Sequence, residues 1–169
     1  ETIANETDWL ITSIEERRNE LTRPNMRGQV EVLAANVDML VVVASVSPLP
    51  DWFIVDRYLC AAELMGIHSI VVFNKIDLLD GHDIEIEELQ GYRDIGLDVL
   101  EGSATAARGI DDIRSALAGK CGIVVGQSGV GKSSLINQLV ANSQLRTADI
   151  SSKTGEGRHT TVNSVMIPL

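Results

Sequence analysis

The 169 residues are 44% hydrophobic and carry a formal net charge of −10. The length fits one domain with a sizeable core; no apolar run reaches the ~18 residues a membrane span needs and no secretory signal peptide opens the chain, so the expectation is a cytoplasmic protein with no membrane partner. A charge of this sign argues against broad binding to nucleic acid, whose phosphates attract basic surfaces, although Arg17, Arg18, Arg23 and Arg27 form a local basic cluster of a kind that is usually a solvated face.

Aromatic residues make up only 4%, so the core must be built from Val, Ile, Leu and Ala. That composition favours a buried parallel sheet covered by helices. Cys60 and Cys121 lie far apart in apolar contexts and are expected to be buried, reduced thiols.

Along the chain, residues 1–28 are charged, polar and weakly patterned, with Trp9, Leu10, Ile11 and Ile14 as strand candidates and a break at Pro24 and Gly28. They read as a linker or the tail of a preceding module, and 29–169 as the main domain. Met39 to Ala44 is a continuous apolar run of β formers, the pattern of a strand buried on both faces. Asp51 is placed to cap a helix with Ile54, Val55, Tyr58, Leu59, Ala62 and Met65 on one face, which Gly66 ends. A second buried strand, Ile70 to Phe73, runs into Asn74-Lys75-Ile76-Asp77. A polar helix from the mid-80s to Ile95, a strand at Asp98 to Leu100 and a short helix over 110–117 follow. Gly122 to Val125 is a further strand, and Leu135, Ile136, Leu139 and Val140 mark the helix after it. From Gln144 to Thr161 the chain is polar and rich in Ser, Thr and Gly, as in a mobile loop. Strands alternating with helices at this spacing predict a mostly parallel α/β fold.

Gly126-Gln127-Ser128-Gly129-Val130-Gly131-Lys132-Ser133 matches GxxxxGK[ST] in full. Glycines let backbone N–H groups wrap a phosphate with no Cβ in the way. Lys132 supplies a point charge to the β- and γ-phosphates, and the Ser133 hydroxyl is a ligand for Mg2+. Ser134 continues the helix whose positive end faces the phosphates. Chance gives such a match in roughly one chain in two hundred of this length, and the strand before it and helix after it are the required context.

The base is chosen by Asn74-Lys75-Ile76-Asp77. A carboxylate at a strand end accepts from N1–H and the 2-amino group of guanine; adenine offers neither, so Asp77 favours GTP and GDP over ATP. The Lys75 stem can cover the base, and Asn74 can tie this loop to the phosphate side. Ser103-Ala104, just after a predicted strand, suits the loop whose backbone N–H meets guanine O6. A nucleotide-dependent binding module with little catalysis, acting as a timer, or a P-loop ATPase or kinase in which NKID is coincidental, are the alternatives.

Order is the most informative feature. NKID comes first, then Ser103-Ala104, then the P-loop, whereas ordinary GTPases place the P-loop first. The domain therefore reads as circularly permuted. Together with Arg17-Arg18, Leu21-Thr22-Arg23-Pro24, Ala34-Ala35-Asn36-Val37-Asp38, the run Gly126 to Ser134 and Gly157-Arg158-His159-Thr160-Thr161, it resembles the RsgA (YjeQ) family of bacterial ribosome-assembly GTPases.

The resemblance implies a P-loop GTPase domain over 29–169, with residues 1–28 the tail of an RNA-binding OB-fold module. It implies a DxxG motif soon after Leu169 and a C-terminal module to which zinc binding is confined. GTP hydrolysis with Mg2+, coupled to late maturation of the small (30S) ribosomal subunit and contact with its rRNA, is the implied activity, in a monomer. The family's HTTT reads His159-Thr160-Thr161-Val162 here, so Thr161, with Thr160 the alternative, corresponds to the Mg2+-binding threonine. His159 becomes the candidate for positioning the attacking water. Gly129 stands where potassium-activated relatives carry an asparagine.

Overall fold

The computed structural model describes residues 2–4, 9–79 and 86–140. The segment predicted as a mobile loop, with His159, Thr160 and Thr161, lies outside the described residues. The chain divides after Asn36 into two units.

In the first unit β1 (Thr2–Ala4) pairs antiparallel with β2 (Trp9–Ile11), and β3 (Glu20–Pro24) with β4 (Val30–Ala35). The Pro24–Gly28 break is the turn of that second hairpin. The Asn25 side chain accepts from the N–H of Arg27 and of Gln29, and Gly28 takes φ +73°, the left-handed conformation that glycine adopts without steric cost. Of the basic cluster, Arg17 pairs with Glu20 and Arg23 with Glu31, both at the surface, where such pairs contribute about 1 kcal/mol at most.

The second unit is built on a four-stranded, wholly parallel sheet. Its strands are β5 (Met39–Ser45), β6 (His68–Asn74), β7 (Asp98–Glu101) and β8 (Gly122–Gly126), in spatial order β7-β6-β5-β8. Every residue of β5 is buried, as its uninterrupted apolar run requires of a central strand covered on both faces. Alternate residues serve opposite layers. Met39, Val41, Val43, Ile70 and Val72 join a core with Ile113 and Leu117 of α3 (Ile110–Leu117) and Leu135 and Leu139 of α4 (Lys132–Leu139). The intervening residues, Leu40, Val42, Val71 and Phe73, point the other way, where α1 (Trp52–Met65) crosses β5 and β6. Burying each such side chain contributes about 1.5–3 kcal/mol.

The ends of α1 follow from single residues. The Asp51 carboxylate accepts from the N–H groups of Phe53 and Ile54, and Gly66 closes the helix at φ +65°. Cys60 is exposed and Cys121 half-buried, which corrects the expectation of two buried thiols. Cys60 lies about 140° around α1 from the buried Val55, at 100° per residue, and so faces away from the sheet. Between α1 and β7, α2 (Glu87–Asp94) packs on β7 through Leu89 and Tyr92. Tyr92 donates to Asp56 of α1 at 2.7 Å; burial, then this carboxylate, push its hydroxyl pKa upward.

Candidate functional site: a P-loop joined to the NKID loop

All four parallel strands deliver a loop to the same, C-terminal edge of the sheet, where ligands of open α/β sheets bind. The residues singled out from sequence within the described chain converge there.

The P-loop links β8 to α4. Gly126 has φ +141°, and a Cβ on it would stand 2.2 Å from the Val43 carbonyl oxygen of β5. Gly131 has φ +92°, and its Cβ would stand 2.5 Å from Asn74 Nδ2. Both glycines are thus required by close approach as well as by conformation. Val130 is fully buried and anchors the loop's middle in the core, while Ser128 and Gly129 are exposed above it. Strand, glycine loop and helix start make the anion-binding geometry that oriented backbone N–H groups and a helix N-terminus provide. Lys132 Nζ donates to the carbonyls of Gly126 at 2.9 Å and Gln127 at 2.7 Å. Desolvation lowers its pKa from the ordinary lysine value.

Asn74, at the end of β6, is 1% exposed and has both ends of its amide engaged. Nδ2 donates to the Val130 carbonyl at 2.8 Å, and Oδ1 accepts from the Ala104 N–H at 3.1 Å. One side chain therefore holds the P-loop, the NKID loop and the Ser103-Ala104 loop together. Lys75, at φ +65°, donates to the carbonyls of Ser47 at 2.5 Å and Gly129 at 2.7 Å. Ile76 opens a 3-10 turn, Ile76–Leu79, and its N–H donates to Gly102 O. Asp77 Oδ1 accepts from Ser103 Oγ at 2.5 Å, and that hydroxyl in turn accepts from the Ala106 N–H. Ser103 and Ala104 are both buried; in this loop, a backbone N–H of which is expected from sequence to meet guanine O6, the Ala104 N–H donates to Asn74.

Ser133 and Ser134 are half-buried on the first turn of α4. Among the described residues no group of three or more His, Cys, Asp or Glu could hold a metal ion. The Ser133 hydroxyl beside the phosphate loop is a hard oxygen donor that suits Mg2+, an ion that takes few protein ligands and shares the nucleotide's phosphates.

Sequence reasoning missed the loop between β5 and α1. Pro48 packs beside Gly129, Ser47 O accepts from Lys75, and the Asp51 N–H donates to Gln127 Oε1 at 3.3 Å. The two prolines and Asp51 were legible only as a strand break and a helix cap.

The RsgA GTPase family model matches residues 14–169. The small ribosomal subunit biogenesis GTPase RsgA of Pseudomonas aeruginosa PAO1 is 45% identical over 150 residues, covering 88% of this chain and 44% of that protein. Its namesake from Alcanivorax borkumensis is 43% identical over 162 residues, covering 95% and 46%. The chain thus spans about half the length of the curated relatives it matches. The crystal structure of YjeQ from Thermotoga maritima superposes with TM-score 0.62 at 31% identity, covering 82% of this chain and 48% of that one. YloQ, described as a circularly permuted GTPase, gives 0.60 at 31% identity, covering 82% and 47%. A parallel sheet that brings the NKID loop onto a P-loop 50 residues later in sequence, and a family match over most of its length, lead to one conclusion: the chain belongs to the RsgA GTPase family.

Proposed function

We propose that the protein binds GTP, hydrolyses it to GDP and phosphate, and couples this to late maturation of the small ribosomal subunit. The observation that carries the reading is Asn74, which joins the base-reading and phosphate loops through one buried amide. Asp77, oriented by Ser103, accepts from N1–H and the 2-amino group of guanine, and Lys75 and Ile76 flank the base. The Ala104 N–H turns from Asn74 to guanine O6. The amides of Gly126 to Ser134 wrap the phosphates, and Lys132 exchanges the carbonyls of Gly126 and Gln127 for phosphate oxygens.

Phosphoryl transfer of this kind needs charge neutralisation and water positioning more than covalent chemistry. Mg2+, when bound, neutralises phosphate charge, with Ser133 and Thr161 as the residues that would hold it. His159 orients the attacking water. The relatives' name, small ribosomal subunit biogenesis GTPase, points to the 30S subunit as partner, with rRNA contacts made mainly by a module outside this chain and zinc confined to a C-terminal one. The protein acts as a cytoplasmic monomer.

Steady-state phosphate release by the intact protein, with 30S subunits, 50S subunits or neither, tests the reading. Many-fold stimulation by 30S alone is expected. No increase removes the ribosomal partner, and the same low turnover throughout favours a nucleotide-dependent timer.

A further inference from the structure

The loop between β5 and α1 belongs to none of the nucleotide motifs, yet it meets the P-loop at three places. Pro48 Cδ lies 3.5 Å from where a Cβ on Gly129 would be. Lys75 bridges Ser47 O and Gly129 O. Gln127 Oε1 accepts from the backbone N–H of Asp51. That last contact joins the first variable residue of the P-loop to the N-cap of α1, because the Asp51 carboxylate is what caps the helix. Gln127 is tied on its other side too: its backbone carbonyl takes one of the two hydrogen bonds of Lys132. The residue therefore connects the phosphate-seeking lysine to a rigid helix end, across 76 residues of sequence.

We propose that Gln127 is a positioning residue, which fixes the P-loop against the N-terminus of α1 and thereby lengthens the residence of a nucleoside diphosphate. The inference rests on the reading that the P-loop holds GDP and GTP. A glycine-rich loop has little stiffness of its own. Its closed form, with amides turned inward, must be held by neighbours. Asn74 holds the middle of the loop at Val130, and Lys75 holds it at the adjacent Gly129. Gln127 holds the near end, next to β8. Without its acceptor the near end fluctuates more, and the β-phosphate is released sooner. The base pocket, which is tied separately through Ser103 and Asp77, keeps its preference.

The test uses the intact protein and a fluorescent GDP, chased with excess unlabelled GDP. Gln127→Met keeps length and volume but removes the acceptor, and Gln127→Ala removes the arm. Both should release GDP about three- to tenfold faster, the range produced by losing one neutral hydrogen bond. The ratio of GTP to ATP affinity should stay at the wild-type value, and the melting temperature of the protein without nucleotide should fall by no more than about 2–4 °C, the share of one hydrogen bond. Unchanged release in both variants overturns the proposal. So does faster release accompanied by a fall in that melting temperature well beyond about 4 °C, since Gln127 would then hold the fold and not the loop. Failure of the wild-type protein to prefer guanine nucleotides is a separate result, and removes the underlying reading instead.

Discussion

Asn74 Nδ2 lies 2.8 Å from the carbonyl oxygen of Val130, a bond between residues 56 apart in sequence and buried in the interior. The NKID loop and the P-loop therefore share a covalently remote but physically single support. Asn74→Ala leaves the Val130 carbonyl and the Ala104 N–H without this partner in a buried setting, each at about 1–3 kcal/mol. Urea unfolding should show a loss of about 2–6 kcal/mol, with GDP affinity falling alongside it. A variant that keeps wild-type stability would show that neither group depends on Asn74.

Base selectivity should follow the carboxylate. GTP and GDP are expected to bind at least about tenfold tighter than ATP, a gap of about 1.4 kcal/mol. Asp77→Asn should weaken guanine binding and gain xanthine binding, because the amide can donate to xanthine O2. Ser103→Ala should erode selectivity without abolishing binding, since it frees Asp77 from the hydroxyl that orients it. Competition titrations with GTP, XTP and ATP check all three.

Burial lowers the pKa of Lys132 below the ordinary 10.5. Between the lowered value and that of the unfolded chain, the unfolded chain binds more protons, so this group makes stability rise with pH there. A bound triphosphate favours the charged lysine. GTP binding should accordingly take up a proton in that window, and affinity should decline as pH rises through it, earlier than for an unperturbed lysine. Calorimetry in two buffers of different ionisation enthalpy reads the proton directly. Lys132→Ala should abolish hydrolysis and remove this part of the pH dependence.

The P-loop glycines are not equivalent. Gly126→Ala sets a Cβ against the backbone of Val43 and should cost about 3 kcal/mol or more, or prevent folding. Gly129→Ala meets only ordinary contact with Pro48, at 3.5 Å, so left-handed strain alone remains, about 1–2 kcal/mol. Parallel denaturant melts rank them, and the reverse order would contradict the packing of β8 on β5.

His159→Ala should lower kcat while leaving GDP affinity nearly unchanged, because GDP lacks the γ-phosphate beside which the attacking water would sit. Loss of GDP binding in equilibrium titrations would instead assign His159 to holding the loop or the fold.

Much of this architecture was legible because its determinants are local. Asp51 and Gly66 bracket α1, and the predicted helix over 110–117 coincides with α3. The apolar run in β5 and the strand before NKID needed only composition and continuity. The β3–β4 hairpin was not read, because its strands lack alternation: only Leu21 is buried in β3. Its signal was Asn25 with Gly28; Pro24 with Gly28 reads as a break in sequence, whereas the segment is a turn. The Gln127 contact with Asp51 could not be seen at all, since a lone side-chain acceptor for a backbone N–H 76 residues away leaves no spacing rule to read.

The pairing of β5 with β8 also bears on the order in which the molecule is made. Met39 is matched to Gly122 and Val43 to Gly126, so the central strand acquires its second neighbour only after β6, β7 and three helices have been synthesised. Chains are synthesised at about 5–20 residues per second, and a domain folds as a unit once its parts are present. For several seconds by that rate the nascent chain carries β5 without β8, with the backbone N–H and C=O groups along that edge unpaired, an edge that invites mispairing. Arrival of β8 closes that edge and brings the P-loop to Asn74 in the same movement. Joining of the P-loop to the NKID loop and protection of the sheet edge are therefore expected to be one event in biosynthesis.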